Sequence, residues 1–137
     1  MHPDKIQLEI ATPDRVVLSE AVDEVVLPSV EGSMGVLPGH APLLAQLAAG
    51  EVSYRIGNER RYLAVSGGFA EVLRMRVEVL AATSERAEEI DVERARRSRQ
   101  RAEEALRSKK DQDDIAQAEA RSVRADVRIR VSARKQG

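Results

Sequence analysis

Ser66-Gly-Gly-Phe-Ala-Glu-Val72 holds the last glycine pair of the chain, and beyond it the punctuation stops. From Phe69 to Gln136 there is neither Pro nor Gly. All five prolines lie in the first 42 residues, and seven of the eight glycines in the first 68. Gly and Pro are the residues that force turns. The N-terminal part is therefore built for many short elements, and the remainder is free to run as long helix.

Working back from the glycine pair, the first part reads as strands. Residues 5–11 alternate, with Ile6, Leu8 and Ile10 on one face and Lys5, Gln7 and Glu9 on the other, the period-two mark of a half-buried strand. Thr12-Pro13-Asp14 is turn chemistry. Residues 15–18 and 24–27 are short β-branched runs, the second ending at Pro28. Runs at 51–56, 61–65, 69–73 and 76–81 follow; Gly57-Asn58 is a hairpin signal, and Gly67-Gly68 is expected to separate two strands. This spacing predicts a sandwich or barrel. The core must be aliphatic, because Phe69, Tyr54 and Tyr62 are the only aromatics. Base stacking on aromatics is a poor candidate function for the same reason.

Forward of the pair, Asp91 reads as an N-cap for a helix running to about residue 107. Its apolar stripe is thin: Val92, Ala95, Ala102 and Leu106. The polar break at 108–114 supplies Asp caps for a second helix, which carries Ile115, Ala118, Ala125 and Ile129, with Val123, Val127 and Val131 as an adjacent strip. Alanine favours helix but buries little area, so two such helices hold each other weakly. Periodicity leaves a permanently packed hairpin and a mobile one equally open.

The net charge of −1 conceals an asymmetry. Residues 1–83 carry 7 Lys/Arg against 11 Asp/Glu, and residues 84–137 carry 15 against 12. The tail favours an acidic partner or a phosphorylated ligand over bare DNA. With no cysteine there is no disulfide scaffold and no thiolate metal site. No apolar run approaches about 18 residues and no signal-peptide core is present, so neither a membrane span nor a secretory address is expected. Catalytic patterns are missing: Ser66 lacks the glycine before it that a nucleophile elbow needs, and there is no Walker loop and no His pair at metal spacing. No catalytic and no metal-ligating residue is assigned. The arginines say more. Arg94 and Arg101 share one face of the first helix, and Arg124 and Arg128 one face of the second. Guanidinium groups gathered on one cleft repel unless an anion lies between them, and phosphate suits their geometry. Twelve arginines among residues 84–137 also make chance clusters common, so a solvated surface is the default reading.

With these residues in view, the chain resembles the epsilon subunits of bacterial F-type ATP synthases. Glu31-Gly-Ser-Met-Gly-Val-Leu-Pro-Gly-His-Ala-Pro-Leu-Leu44 is similar to that family's long turn segment, residues 64–72 to its second signature, and residues 81–91 to its junction with the helices. The resemblance implies an α+β chain: an N-terminal β-sandwich of about ten short strands over residues 1–84, then a C-terminal antiparallel two-helix hairpin over 85–137. It implies a rotor subunit without an active site of its own, linking the gamma subunit to the c-ring through a loop that includes Glu31, Gly32, Ser33, Met34 and His40. Ser33 stands where many relatives carry an acid. It also implies a hairpin that extends toward the catalytic alpha and beta subunits and inhibits ATP hydrolysis. No cofactor is required, and ATP is implied as a regulatory ligand. Its motif stands here as Ile90-Asp91-Val92-Glu93-Arg94-Ala95, with Arg101, Arg124 and Arg128 as the further arginines and Glu85 as an upstream acid. The implied setting is ATP synthesis and hydrogen-ion transport at the cytoplasmic face of the bacterial cell membrane, peripherally and without insertion or nucleic acid. The rival reading is a stand-alone β-sandwich binding module with a basic helical tail. A small hydrolase is a third, which the missing nucleophile opposes.

Overall fold

The alternation at the start of the chain is strand β1, Ile6–Ala11, with Ile6, Leu8 and Ile10 fully buried. A computed structural model describes residues 4–108 and 112–134. His2 and three residues of the polar break, Lys109, Lys110 and Asp111, lie outside the described residues. The chain forms two units, Met1–Arg86 and Ala87–Gly137.

In the first unit, β1 is followed by β2 (Val16–Val22), β3 (Glu24–Ser29), β4 (Gly32–Val36), β5 (Leu43–Ile56), β6 (Glu59–Val72), β7 (Arg76–Ala81) and β8 (Ser84–Arg86). Pairing runs β2-β1-β7-β6-β5-β3-β4, and β8 also pairs with β6. Only β1 and β7 are parallel. The two long strands serve two layers. Residues 68–72 of β6 carry β7, whereas residues 63–65 carry β8. β5 pairs with β3 mainly through residues 53–55. One layer is thus β2, β1, β7 and one half of each long strand; the other is β4, β3, β8 and the remaining halves. A single apolar cluster lies between them, with Leu8 and Val79 from the first layer and Leu27 and Leu63 from the second. It is aliphatic apart from the buried Tyr54.

Among the described residues eight strands stand where about ten were expected, because each long strand does the work of two. Gly67-Gly68 does not separate strands; it lies inside β6. Both glycines have positive φ, 96° and 129°, and a Cβ on Gly68 would lie 2.1 Å from the Leu80 carbonyl oxygen. The pair therefore bends a continuous strand where β7 passes too close for any side chain. Pro28 does not end β3 either. The β3–β5 register shifts between Val26 and Ser29, so no ladder bond on that side needs the missing N–H. The Gly57-Asn58 hairpin is as read, with Ile56 opposite Glu59 and Gly57 at φ 60°.

Polar side chains tie the ends together. Asp23, between β2 and β3, accepts from Lys5 Nζ at 2.6 Å and from the Gly57 amide at 2.7 Å. One carboxylate thus joins the start of β1 to the β5–β6 turn. Beside it, Glu24 pairs with Arg60. Arg86, the last residue of β8, donates from Nη2 to the Val17 carbonyl on β2 at 2.8 Å.

In the second unit a turn of 3-10 helix, Ala87–Glu89, precedes α1 (Val92–Ser108) and α2 (Gln112–Ser132). Asp113 and Asp114 fall inside the first turn of α2, whereas Asp111, the aspartate ahead of Gln112, lies outside the described residues. Ala95, Ala102, Ala118 and Ala125 are buried, while Val92, Leu106, Ile115 and Ile129 are half-buried. Of the expected valine strip, Val127 and Val131 are buried and Val123 is 50% exposed.

The Asp23 hub predicts an acid-dependent contribution to stability. The hydrogen bond from Lys5, then that from the Gly57 amide, holds the Asp23 carboxyl below its ordinary value of 3.8. A depressed carboxyl adds stability that is complete above the unfolded value and lost as pH falls through the folded one. Thermal melts of wild type and Asp23→Asn should therefore differ most near neutrality, with wild type the more stable. The gap should close as pH falls below the ordinary carboxylate value.

Candidate functional site

The second unit begins with a capped helix. The Asp91 Oδ1 accepts the Arg94 amide at 3.1 Å, satisfying one of the donors that the first turn of α1 leaves open. The short link between α1 and α2 makes the pair antiparallel. Its register is marked by Arg99 Nη1, which reaches Asp126 Oδ1 across the seam at 3.3 Å. Residue numbers at one level then sum to the value set by 99 and 126. Ser108 and Gln117, which line one cleft together, obey the same offset. The four buried alanines, seven apart on each helix, interleave along this seam.

Advancing about 100° per residue from the alanines divides the hairpin into two edges. In an antiparallel pair, residues displaced in the same rotational sense lie on the same edge. Arg99, Glu103 and Asp126 fall on one, where Arg99 is paired with both acids. Arg94 and Arg101 of α1 fall on the other, as do Arg121, Arg124 and Arg128 of α2. The two arginine faces read from the sequence thus share an edge. Arg94, Arg101, Arg121 and Arg124 are exposed and enter no ion pair among the described residues; Arg128 is half-buried. Level by level, Arg101 lies opposite Arg124, and Arg128 falls between Arg94 and Arg101.

The remaining residues of that set are distributed differently. Ile90 and Ala95 are buried, at 4% and 0% exposure. Glu85 lies on β8 opposite Ala64, in the first unit, whereas the arginines belong to the second. A shallow cleft of about 290 Å³ opens on the arginine edge near the α1–α2 link. It is lined by Ala105, Ser108, Asp114, Gln117, Ala118 and Arg121. Arg121 was not singled out by the sequence, although its three-residue step to Arg124 was visible there.

On the sandwich, Glu31 lies in the β3–β4 turn and Gly32 and Ser33 open β4; all three are exposed, with Gly32 at φ 130°. Met34 follows on β4 and packs against the core. His40 is not beside them. It lies past the other end of β4, in a loop where the Gly39 amide donates to Arg74 O at 2.6 Å. Sequence reading missed the surface adjoining the Glu31 turn. The Val30 amide donates to Gln46 O, Gln46 lies opposite Phe69, and Phe69 lies opposite Leu80. Val30, Leu44, Phe69 and Leu80 are each more than half exposed, at 54%, 68%, 53% and 63%. An outward apolar row of this kind is suited to contact with another protein. Beside it Glu9, Glu78 and Glu71 stand directly opposite one another. Arg76 offsets that repulsion: its Nε donates to Glu78 at 2.7 Å, which raises the guanidinium's affinity for its proton. Among the described residues, no group of three acids or histidines is placed to hold a metal ion, and no helix is long and apolar enough to cross a membrane.

Residues 5–87 match the ATP synthase delta/epsilon chain β-sandwich domain, and residues 88–133 the long α-helix domain of the same chain. An ATP synthase epsilon chain of Syntrophobacter fumaroxidans is 50% identical over 129 residues, covering 94% of this chain and 96% of that one. One of Herpetosiphon aurantiacus is 52% identical over 127 residues, covering 93% of each. Among solved structures, a chain of the Euglena gracilis mitochondrial ATP synthase OSCP/F1/c-ring assembly superposes with a TM-score of 0.83 at 28% identity, covering 98% of this chain and 84% of that one.

The cap at Asp91 carries its own expectation. Asp91→Ala should destabilise α1 by about 1 kcal/mol, the usual worth of an N-cap. Amide exchange at residues 92–95 should accelerate, while exchange in the sandwich should not change.

Proposed function

We propose a rotor-stalk role for this chain, which belongs to the ATP synthase delta/epsilon chain family. The sandwich joins the gamma subunit to the c-ring. The exposed end of the β3–β4 hairpin, at Glu31, Gly32 and Ser33, and the apolar row of Val30, Leu44, Phe69 and Leu80 are the surfaces suited to those partners. The chain works at the cytoplasmic face of the bacterial membrane, without inserting into it and without catalysis of its own. Its hairpin inhibits ATP hydrolysis when it extends toward the alpha and beta subunits. Closed, it binds ATP: Ile90 and Ala95 lie nearest the base, and Arg94, Arg101, Arg124 and Arg128 meet the phosphates.

One observation carries this reading: in the seam between α1 and α2 the fully buried residues are alanines, and the larger Val92, Leu106, Ile115 and Ile129 are only half-buried. Ala95, Ala102, Ala118 and Ala125 bury fully but offer little apolar area, at about 25 cal/mol per Å². Arg99 and Asp126 form an ion pair across that seam, and exposed pairs contribute about 0–1 kcal/mol. A hairpin held so lightly can exchange one set of neighbours for another. A ligand seated on the arginine edge would favour the closed state by its own binding energy, about 2.7 kcal/mol at one hundred times its dissociation constant.

Two measurements test the proposal. Removing residues 91–137 should leave the chain able to co-elute with its gamma subunit and should raise ATP hydrolysis by the reconstituted complex. Failure to bind gamma would refute the rotor assignment, and unchanged hydrolysis would refute inhibition by the hairpin. Separately, ATP should raise the melting temperature of the isolated chain and slow amide exchange in α1 and α2. Arg94→Ala should abolish both effects; an unaltered ATP response in that variant would exclude the proposed site.

A further inference from the structure

The path of paired strands ends at β2 and β4, and these two free edges are unlike. A free edge invites pairing by another chain, and proteins blunt it with bulges, charges or proline. β2 is blunted. Its register against β1 slips at Val17, the extra residue of a β-bulge, and the Val17 carbonyl is taken by Arg86 at 2.8 Å. β4 has none of these devices. Its sequence, Gly32-Ser-Met-Gly-Val36, carries no charge and no proline, and its register against β3 is unbroken from Ser29 opposite Gly32 to Val25 opposite Val36. Among the described residues no other strand pairs with it. Pro28 fixes which groups face outward. It has no N–H to donate, so the ladder bonds between β3 and β4 fall at Leu27 and Met34 and, two residues either way, at Val25 and Val36 and at Ser29 and Gly32. Ser33 and Gly35 therefore turn their N–H and C=O groups away from β3, and both residues are exposed. Nothing within the chain requires glycine at 35: it does not have positive φ, and a Cβ on it would meet nothing within 4 Å. A glycine of that kind in a strand marks a place where another backbone comes close.

We propose that the outer edge of β4 docks a strand: an extended segment of the gamma subunit pairs its backbone with Ser33 and Gly35 and lengthens the sheet by one strand. The proposal rests on the rotor reading above and names a contact that reading leaves open. The position suits such a partner. β4 opens beside Glu31, and the Val30 amide ties that end to Gln46, at the margin of the apolar row. Strand addition there continues the same surface. Main-chain hydrogen bonds supply the affinity, and the absent side chain of Gly35 and the short one of Ser33 let the incoming backbone lie flat.

The test is binding of the full chain to its gamma subunit, with amide exchange read on the complex. Exchange at Ser33 and Gly35 should be fast in the free chain and at least tenfold slower in the complex. Gly35→Pro removes one outward N–H without touching the bonds to β3. The free variant should keep the wild-type circular dichroism and melt cooperatively, and it should bind gamma at least tenfold more weakly. Gly35→Ala keeps the N–H and should weaken binding severalfold less. Unchanged exchange at Ser33 and Gly35 in the wild-type complex overturns the proposal and leaves the rotor reading standing, whether or not the proline variant folds. Equal losses in Gly35→Pro and Gly35→Ala overturn it as well. A wild type that does not bind gamma at all removes the rotor reading and this contact together. Concentration-dependent dimers of the free chain that Gly35→Pro abolishes, with gamma binding intact, assign the edge to a second copy and overturn the proposal.

Discussion

The sandwich depends on a close approach of backbone to backbone. At Gly68 the middle of β6 passes so near the Leu80 carbonyl that a β-carbon would lie 2.1 Å from it. That approach lets one strand turn out of the first layer and continue into the second without losing its partner. β5 follows it, pair by pair, from Leu43 opposite Val72 to Ile56 opposite Glu59. The two layers are therefore covalently continuous through both long strands, and the core closes as one cluster. Because β6 bends here, β7 can occupy one half of its free side and β8 the other. Any side chain at Gly68 would force β7 away and open the layer that holds Phe69 and Leu80.

The two units are stabilised by different means. The sandwich buries large aliphatic side chains, Ile6, Leu8, Ile10, Leu27 and Leu63 among them. Its edges are reinforced by ion pairs and side-chain hydrogen bonds that join distant positions, such as Lys5 and Gly57 through Asp23. The hairpin buries four alanines with Val127 and Val131, and relies on helix propensity, the Asp91 cap and a few exposed ion pairs. Burial of small side chains gives close helix approach without much free energy. The hairpin is therefore held by less apolar burial than the sandwich.

Much of this was legible in the residues. The alternation over residues 5–11 gave β1 because one face is wholly buried and the other half-solvated. The Gly57-Asn58 turn and the Asp91 cap are local chemistry, and local chemistry is what a sequence displays. The misses share another origin. Gly-Ser-Met-Gly-Val is a strand, β4, only because β3 offers it a ladder. Pro28 sits within β3 because a register shift spares its absent N–H. Val123 and Val127 are equivalent by composition, yet one is exposed and the other buried, since packing decides between them. The outward row of Phe69 and Leu80 carries no sequence signal, because apolar residues in a strand are read as inward. On the hairpin the arginine spacings were visible. That both faces share an edge follows from chain direction, which the Arg99–Asp126 pair reports.

Arg86 ends the sandwich in a way that bears on mechanics. It closes the three-residue strand β8, and its side chain reaches the Val17 carbonyl on β2, the outermost strand of the other layer. The chain from Ala87 onward is joined covalently to the sandwich here. A pull on the hairpin therefore loads β8 first, and β8 alone is a short ladder that could peel one pair at a time. The guanidinium shares that load with the opposite layer, so tension is carried across the sandwich rather than along one strand. Such a joint lets the trailing segment be tugged without unravelling the sandwich.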